Sequence, residues 1–301
     1  MNDLKQQLQE EISEALKSGI SQNKLADQIG VSAATLINVR RGEWDNISDQ
    51  MTMKLRAYFR INDWKTYETT NMKAIMELCQ DASINKKFVA VCGYTGAGKT
   101  TALRRYSSKN ADAWYVLGTT IMTQKSFLTA VLRSMGISEG QSIQDKMSLI
   151  VKEMNQNNRS LLIIDDAGKL NDNIMRLIQI IYDETESNAG MILAGTEYLA
   201  DYISRGAILD KRGFRELKRR IAFWQPVFKP TKGEIAHICQ DYGILDSKAI
   251  VYIQNEFKNF GDIKNIVTNA VEAMQKRNVQ ITREVLEDLH VGNHFYKTVT
   301  A

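Results

Sequence analysis

Proline is almost missing from this chain, with 2 in 301 residues. That excludes Pro-rich ligand segments and collagen-like repeats. Cysteine is scarce as well. Cys79, Cys92 and Cys239 are far apart and form no CxxC pair, so they are expected to be reduced and structural. There are 3 histidines. His290 and His294 have helical i, i+4 spacing, but no third ligand lies near and Gly292 interrupts them, so no metal site is expected there. His237 is expected on a helix face. Apolar runs such as Phe88–Cys92 and Leu161–Ile164 are far short of the roughly 20 residues a bilayer span needs, so no membrane association is expected. The first twenty residues carry Asp3, Glu10, Glu11 and Glu14. That is no signal peptide, and the expected compartment is the cytoplasm.

What is present is an ordinary globular balance, 44% hydrophobic and 25% charged, with length for about two domains. The net charge of +4 decides little, but its distribution is uneven. Between Arg205 and Lys232, nine basic residues face only Asp210 and Glu216. The rest of the chain is therefore slightly acidic. Such a cluster suits a polyanion, either nucleic acid or nucleotide phosphate.

Hydrophobic spacing predicts helices over 3–17, 22–29, 33–40 and 49–59, with Ser21 and Ser32 as caps and Gly19, Gly30 and Gly42 as stops. The pattern Gln22-x-x-Leu25-Ala26-x-x-x-Gly30-Val31-Ser32-x-x-Thr35-Leu36 reads as a helix-turn-helix. Ala33, Ala34, Thr35 and Asn38 are expected to face a groove, with Arg40 and Arg41 on phosphates. Residues 21–60 carry six basic and four acidic residues, which suits weak DNA contact or protein docking. After a connector at 61–70 and a helix over 70–81, short apolar runs alternate with helices. Strands are predicted at 88–92, 114–117, 161–164, 191–194 and 222–228, and helices from Lys99 and at 124–135, 142–155, 172–185 and 196–204. This implies an α/β fold with a parallel sheet covered on both faces. Pro226 places the fifth strand at an edge, because it has no N–H for the ladder. From Thr231 the chain is helical again, over 231–241, 246–258, 262–277 and 282–289.

The sharpest motif is Gly93-Tyr94-Thr95-Gly96-Ala97-Gly98-Lys99-Thr100, followed by Thr101. It fits G-x-x-x-x-G-K-[ST] between a strand and a helix, the pattern of a P-loop. Its backbone N–H groups and helix N-terminus suit the phosphates of ATP. Lys99 is expected on the β- and γ-phosphates and Thr100 on Mg2+. A second motif, Leu161-Leu162-Ile163-Ile164-Asp165-Asp166, ends an apolar strand in carboxylates. Asp165 is expected to hold Mg2+ through the ligands that touch it rather than directly, and Asp166 to polarise the attacking water. Aspartate at that last place is one methylene shorter than the usual glutamate, which predicts slow hydrolysis, with Glu197 as a substitute base. Asp166 also suits a helix N-cap. Thr196, ending the fourth strand, is placed to touch the γ-phosphate or its water, and equally to cap the next helix. Arg220, then Arg219, are candidates for an arginine finger offered to a neighbouring subunit. Arg205, Lys211, Arg212 and Arg215 are candidates for DNA phosphates. A solvated basic face is the plain alternative for the whole stretch.

With these motifs in this order, the chain resembles the AAA+ target-DNA-binding B proteins of Mu-like transposing phages. The stretch Ala90 to Arg105 and the preceding helix-turn-helix carry the resemblance. It implies a helix-turn-helix domain at 1–62, a P-loop AAA+ core at 63–230 with sheet order 5-1-4-3-2, and a helical lid at 231–301. It further implies ATP and Mg2+ as cofactors and sequence-tolerant binding of double-stranded DNA. A helical homo-oligomeric filament, delivery of the DNA to a DDE-type transposase, and release on hydrolysis complete the implied activity, in a bacterial host cell. Gly261-Asp262-Ile263-Lys264 resembles the family's sensor 2 region, with Lys264 where arginine is usual. The rival readings are a replicative helicase loader and a nucleotide-switched helix-turn-helix regulator.

Overall fold

The computed structural model describes residues 2–17, 20–59, 64–138, 141–277 and 280–290. The chain divides into two compact units, Met1–Thr66 and Tyr67–Ala301.

In the first unit α1 (Asn2–Lys17), α2 (Gln22–Ile29), α3 (Ala33–Arg41) and α4 (Asp49–Tyr58) form a small helical domain. Ser32 Oγ accepts the Thr35 N–H at 3.1 Å, and Gly30 closes α2 in the left-handed conformation at φ 74°. Only glycine enters that region without steric cost, so the turn between α2 and α3 is fixed at this residue. Leu8, Ile12, Leu25, Ala26, Ile29, Leu36, Val39 and Leu55 make the core. Gln22 Nε2 donates to Ala33 O at 3.0 Å across the two helices, and Lys54 Nζ donates to Gly30 O at 2.8 Å.

The second unit holds five parallel strands: β1 (Phe88–Cys92), β2 (Ala113–Leu117), β3 (Ser160–Asp165), β4 (Ala189–Gly195) and β5 (Phe223–Pro226). Their order is β2-β3-β4-β1-β5, which is the implied 5-1-4-3-2 counted from the other edge. Side chains alternate along each strand and both faces are apolar, as a doubly covered sheet requires. Val89, Val91, Leu161, Ile163 and Ile192 pack under α5 (Thr70–Asn85) and α6 (Lys99–Lys109). Phe88, Ala90, Leu162, Ile164 and Leu193 pack on the other face. That face is covered by α7 (Gln124–Ser134), α8 (Ile143–Gln156), α9 (Asp172–Thr185), α10 (Glu197–Ile208) and α11 (Phe214–Arg220). Gly190 lets α5 approach the sheet closely: a Cβ there would lie 2.1 Å from Ala82 O.

Three differences from the sequence expectation stand out. The fifth strand is shorter than 222–228. Pro226 offers no N–H, and the N–H and C=O of Phe228 are taken by the Asn71 side chain, so the chain leaves the sheet there. The short helix α11 inside the basic stretch was not anticipated; it forms because Phe214 and Leu217 are buried on one side. The helix after the motif strand β4 runs on to Ile208. Beyond β5, α12 (Lys232–Asp241), α13 (Ser247–Glu256), α14 (Phe260–Arg277) and a helix at 283–290 form the helical C-terminal part.

Candidate nucleotide-binding site

The loop from Gly93 to Gly98 leaves β1 and enters α6 through three glycines with positive φ, Gly93 at 152°, Gly96 at 81° and Gly98 at 87°. Residues with a Cβ rarely adopt such angles, so the glycines shape the cradle. Thr95 and Thr101 are exposed, Tyr94 is half-buried and Ala97 is buried. Lys99 is buried, and its ammonium donates to Gly93 O at 2.7 Å and Tyr94 O at 2.8 Å. Burial lowers its pKa, against the pull of Asp165 and Glu197, which raise it. A cation held this way gains most from an arriving anion.

Asp165 ends β3 with no exposed surface. Its Oδ2 accepts the Thr100 hydroxyl at 2.7 Å and the Tyr115 hydroxyl at 2.8 Å, and its Oδ1 accepts the Asp166 N–H at 2.9 Å. Thr100 spends its proton on Asp165, so its oxygen lone pairs remain for a cation. Hard oxygens from a hydroxyl and a carboxylate are the donor set Mg2+ favours. The two motifs, 65 residues apart in sequence, thus meet in one hydrogen bond.

Asp166 takes the left-handed conformation at φ 51°, one that aspartate tolerates better than most residues. It stands at the N-cap of the 3-10 turn Ala167–Lys169, yet its side chain caps no N–H. Instead its carboxylate pairs with Lys169 Nζ at 2.7 Å. Thr196 occupies the N-cap of α10, also without a side-chain cap bond. Asp166, Lys169 and Thr196 line one cavity of about 500 Å3, with Thr120, Tyr198 and Tyr202 around it. Glu197 is exposed in the first turn of α10.

The C-terminal helices reach the same loop. Phe260 N–H donates to Gly96 O at 2.9 Å, and a Cβ on Gly96 would lie 2.6 Å from Asn259 Oδ1. The N-terminus of α14 therefore rests on the phosphate loop. Lys264, half-buried, lies in the second turn of that helix. Sequence reasoning missed Asn71. It is buried on α5, and its amide donates to Phe228 O at 2.7 Å and Ala97 O at 3.2 Å while accepting the Phe228 N–H at 2.9 Å. Tyr94 OH donates to the same Phe228 carbonyl. One amide thus ties α5, the phosphate loop and the exit from β5 together. The only sequence signal was a polar residue beside Met72 and Ile75 on an apolar face.

The basic candidates separate. Arg220 Nη1 donates to Glu186 at 2.9 Å. Its Nε lies 2.8 Å from Asp183 but makes no aligned hydrogen bond, so that contact is Coulombic. Arg220 precedes Ala222, whose N–H bonds Phe88 O at the start of β1. The phosphate loop lies at the other end of β1, about 13 Å away along the strand. Arg220 therefore does not serve the nucleotide of its own subunit. Arg219 beside it is exposed. Lys211 pairs with Asp172 and Arg215 with Asp210, both at 3.1 Å. Arg205 and Arg212 are exposed and carry no ion pair among the described residues.

In the helical domain, Thr35 is corrected. It is 4% exposed, and its hydroxyl lies 2.9 Å from Ser32 Oγ inside the cap of α3, so it does not face a groove. Asn38 is half-buried, and Ala34, Arg40 and Arg41 are exposed. His290 Nδ1 lies 2.8 Å from Tyr252 OH, and His294 falls outside the described residues. Among the described residues no group of three or more His, Cys, Asp or Glu is arranged to hold a metal.

This fold and this pair of motifs define a P-loop ATPase of the AAA class, and residues 83–203 match the model of the AAA domain. Over most of its length the chain is similar to B proteins named for transposition and target DNA activation. It is 24% identical over 276 residues to the Mu-like prophage FluMu DNA transposition protein B of Haemophilus influenzae, spanning 88% of this chain and 92% of that one. It is 22% identical over 245 residues to the ATP-dependent target DNA activator B of Escherichia phage Mu, spanning 80% and 75%. Among solved structures, domain III of the Thermotoga maritima replication initiation protein DnaA is similar at a TM-score of 0.48 and 14% identity, covering 71% of this chain and 87% of that one.

Proposed function

We propose that this ATPase binds ATP with Mg2+ at the phosphate loop, assembles as a helical filament on double-stranded DNA, and presents that DNA to a DDE-type transposase in the cytoplasm of a bacterial host. Hydrolysis then drives release. The observation that carries the reading is the likeness over most of the chain to proteins named for DNA transposition and target DNA activation. The assembled pair of Thr100 and Asp165 supports the nucleotide part of it. No helix among the described residues is long and apolar enough to cross a membrane.

In this reading the loop N–H groups of residues 93–98 and Lys99 hold the β- and γ-phosphates, with Thr101 alongside and Lys264 reaching in from α14. Thr100 and Asp165 would hold Mg2+, which supplies charge neutralisation on the phosphate oxygens when bound. Asp166 accepts the proton of the water that attacks the γ-phosphorus, and Thr196 orients that water. Lys169 occupies the Asp166 carboxylate, which supports slow turnover in the isolated subunit. Arg219 is the cation offered to the nucleotide of a neighbouring subunit, its exposure supporting it over the paired Arg220. Arg205, Lys211, Arg212 and Arg215, with Asn38, Arg40 and Arg41 of the helical domain, supply DNA contacts. Phosphate contacts of this kind bind without regard to sequence.

Negative-stain microscopy on a long arbitrary duplex tests the reading. Continuous filaments are expected with ATP or a non-hydrolysable analogue and not with ADP. Discrete particles at one DNA site, indifferent to nucleotide, would overturn it in favour of a helix-turn-helix regulator.

A further inference from the structure

Asp165 has two hydroxyl donors on one oxygen, and the P-loop pattern accounts for only one of them. The second is Tyr115 of the edge strand β2. In the β2–β3 register Tyr115 stands opposite Ile163, and Leu117 stands opposite Asp165. Tyr115 is therefore the diagonal neighbour of Asp165, on the sheet face that packs under α5 and α6. An aromatic side chain is long enough to cover that diagonal. A third group closes the chain of contacts. Arg104 lies four residues after Thr100 on α6, on the same side of the helix, and its guanidinium is 5.1 Å from the centre of the Tyr115 ring.

The arrangement is more specific than the satisfaction of a buried carboxylate. Asp165 Oδ1 is already occupied by the Asp166 N–H. Oδ2 receives Tyr115 from β2 and Thr100 from α6. These three donors, from α6, β2 and the next residue of the chain, hold the carboxylate in its observed orientation. In that orientation Oδ2 takes the Thr100 proton, which leaves the Thr100 lone pairs free for a cation.

We propose that Tyr115, held by Arg104, is a positioning residue for the metal site: it fixes Asp165 so that Thr100 presents its oxygen to Mg2+. This rests on the reading that Thr100 and Asp165 hold Mg2+. Partners of this kind, one step behind a metal ligand, typically govern metal affinity by about tenfold or more.

The test uses the full-length protein with ADP and Mn2+ in place of Mg2+, following bound Mn2+ by electron paramagnetic resonance. Tyr115→Phe removes one hydroxyl and keeps the ring. It is expected to weaken Mn2+ binding by about tenfold, while ADP affinity measured in EDTA stays as in the unaltered protein. Arg104→Gln, an exposed position, is expected to weaken Mn2+ binding by about twofold to threefold, and it serves if Tyr115→Phe fails to fold. Unchanged Mn2+ affinity in a folded Tyr115→Phe protein overturns the proposal and leaves the metal reading standing. Equal loss of ADP affinity in EDTA also overturns it, because Tyr115 would then shape the loop and not the metal site. If the unaltered protein itself binds no Mn2+ with ADP, the metal reading fails, and the proposal with it.

Discussion

Lys99 gives up most of its hydration to lie against two carbonyls of its own loop. Burial works against its charge there, and a polyphosphate restores a partner. Lys99→Met is expected to reduce ATP affinity by roughly 10- to 100-fold, the worth of a hydrogen bond to a charged group. Titration calorimetry measures it. Asp166 sits in a different balance. Its carboxylate is a third exposed, and Lys169, about half exposed, holds it at 2.7 Å. A pair so open to water is worth at most about 1 kcal/mol. Lys169→Met is therefore expected to raise unstimulated ATP turnover, by no more than about fivefold. A fall in turnover in a steady-state phosphate-release assay would instead make Lys169 a group that assists hydrolysis.

At the scale of elements, Asn71 joins α5 to two segments far from it in sequence. Replacing it with alanine leaves the N–H of Phe228 and the Ala97 carbonyl without this partner, while the Phe228 carbonyl keeps the Tyr94 hydroxyl. Asn71→Ala is expected to cost about 2 kcal/mol, and calorimetry of the full chain should show the melting of the ATPase unit lowered by roughly 4–8 °C. The elements differ in how readable they were. Helix α9, caught at 172–185, has an amphipathic stripe bounded by Asn171 at its N-cap. Strand β1 is a five-residue apolar run before a glycine loop. Such elements announce themselves because burial and capping are local. By contrast, β5 stops short of Phe228 because a side chain from α5 takes its backbone. Helix α11 forms around Phe214, which packs so close to Gly206 that a Cβ there would be 2.1 Å from its ring. Neither cause is visible in the neighbouring sequence.

For the whole molecule, the basic stretch is less free than its composition suggested, since Lys211, Arg215 and Arg220 spend charge within the chain. Arg205 and Arg212 are exposed and carry no ion pair among the described residues, and the proposed DNA contact is tested on them first. The double variant Arg205→Ala/Arg212→Ala is expected to lower the slope of log affinity against log salt by about 2, one for each phosphate contact. Anisotropy with random-sequence duplex measures it, and an unchanged slope removes these two residues from the DNA surface. Assembly gives a further test. Mixing Arg219→Ala with Lys99→Met subunits should restore DNA-dependent hydrolysis partly, because each supplies what the other lacks across an interface. No recovery at any ratio would count against a finger at Arg219.

The sequence by itself determined the chemistry of the phosphate loop and the places of its glycines. It also determined the apolar strand ending in Asp165, the alternation that makes a covered parallel sheet, and the helix-turn-helix with its glycine turn. These follow from short-range patterns, where capping, backbone angle and side-chain period act within a few residues. The tertiary structure alone decided which groups meet. It paired Asp166 with Lys169, tied Arg220 to α9, buried Thr35, and brought Tyr115 and Asn71 to a site they do not adjoin in sequence. Those outcomes depend on strand register, helix packing and the satisfaction of buried polar groups. All three are set by residues distant along the chain.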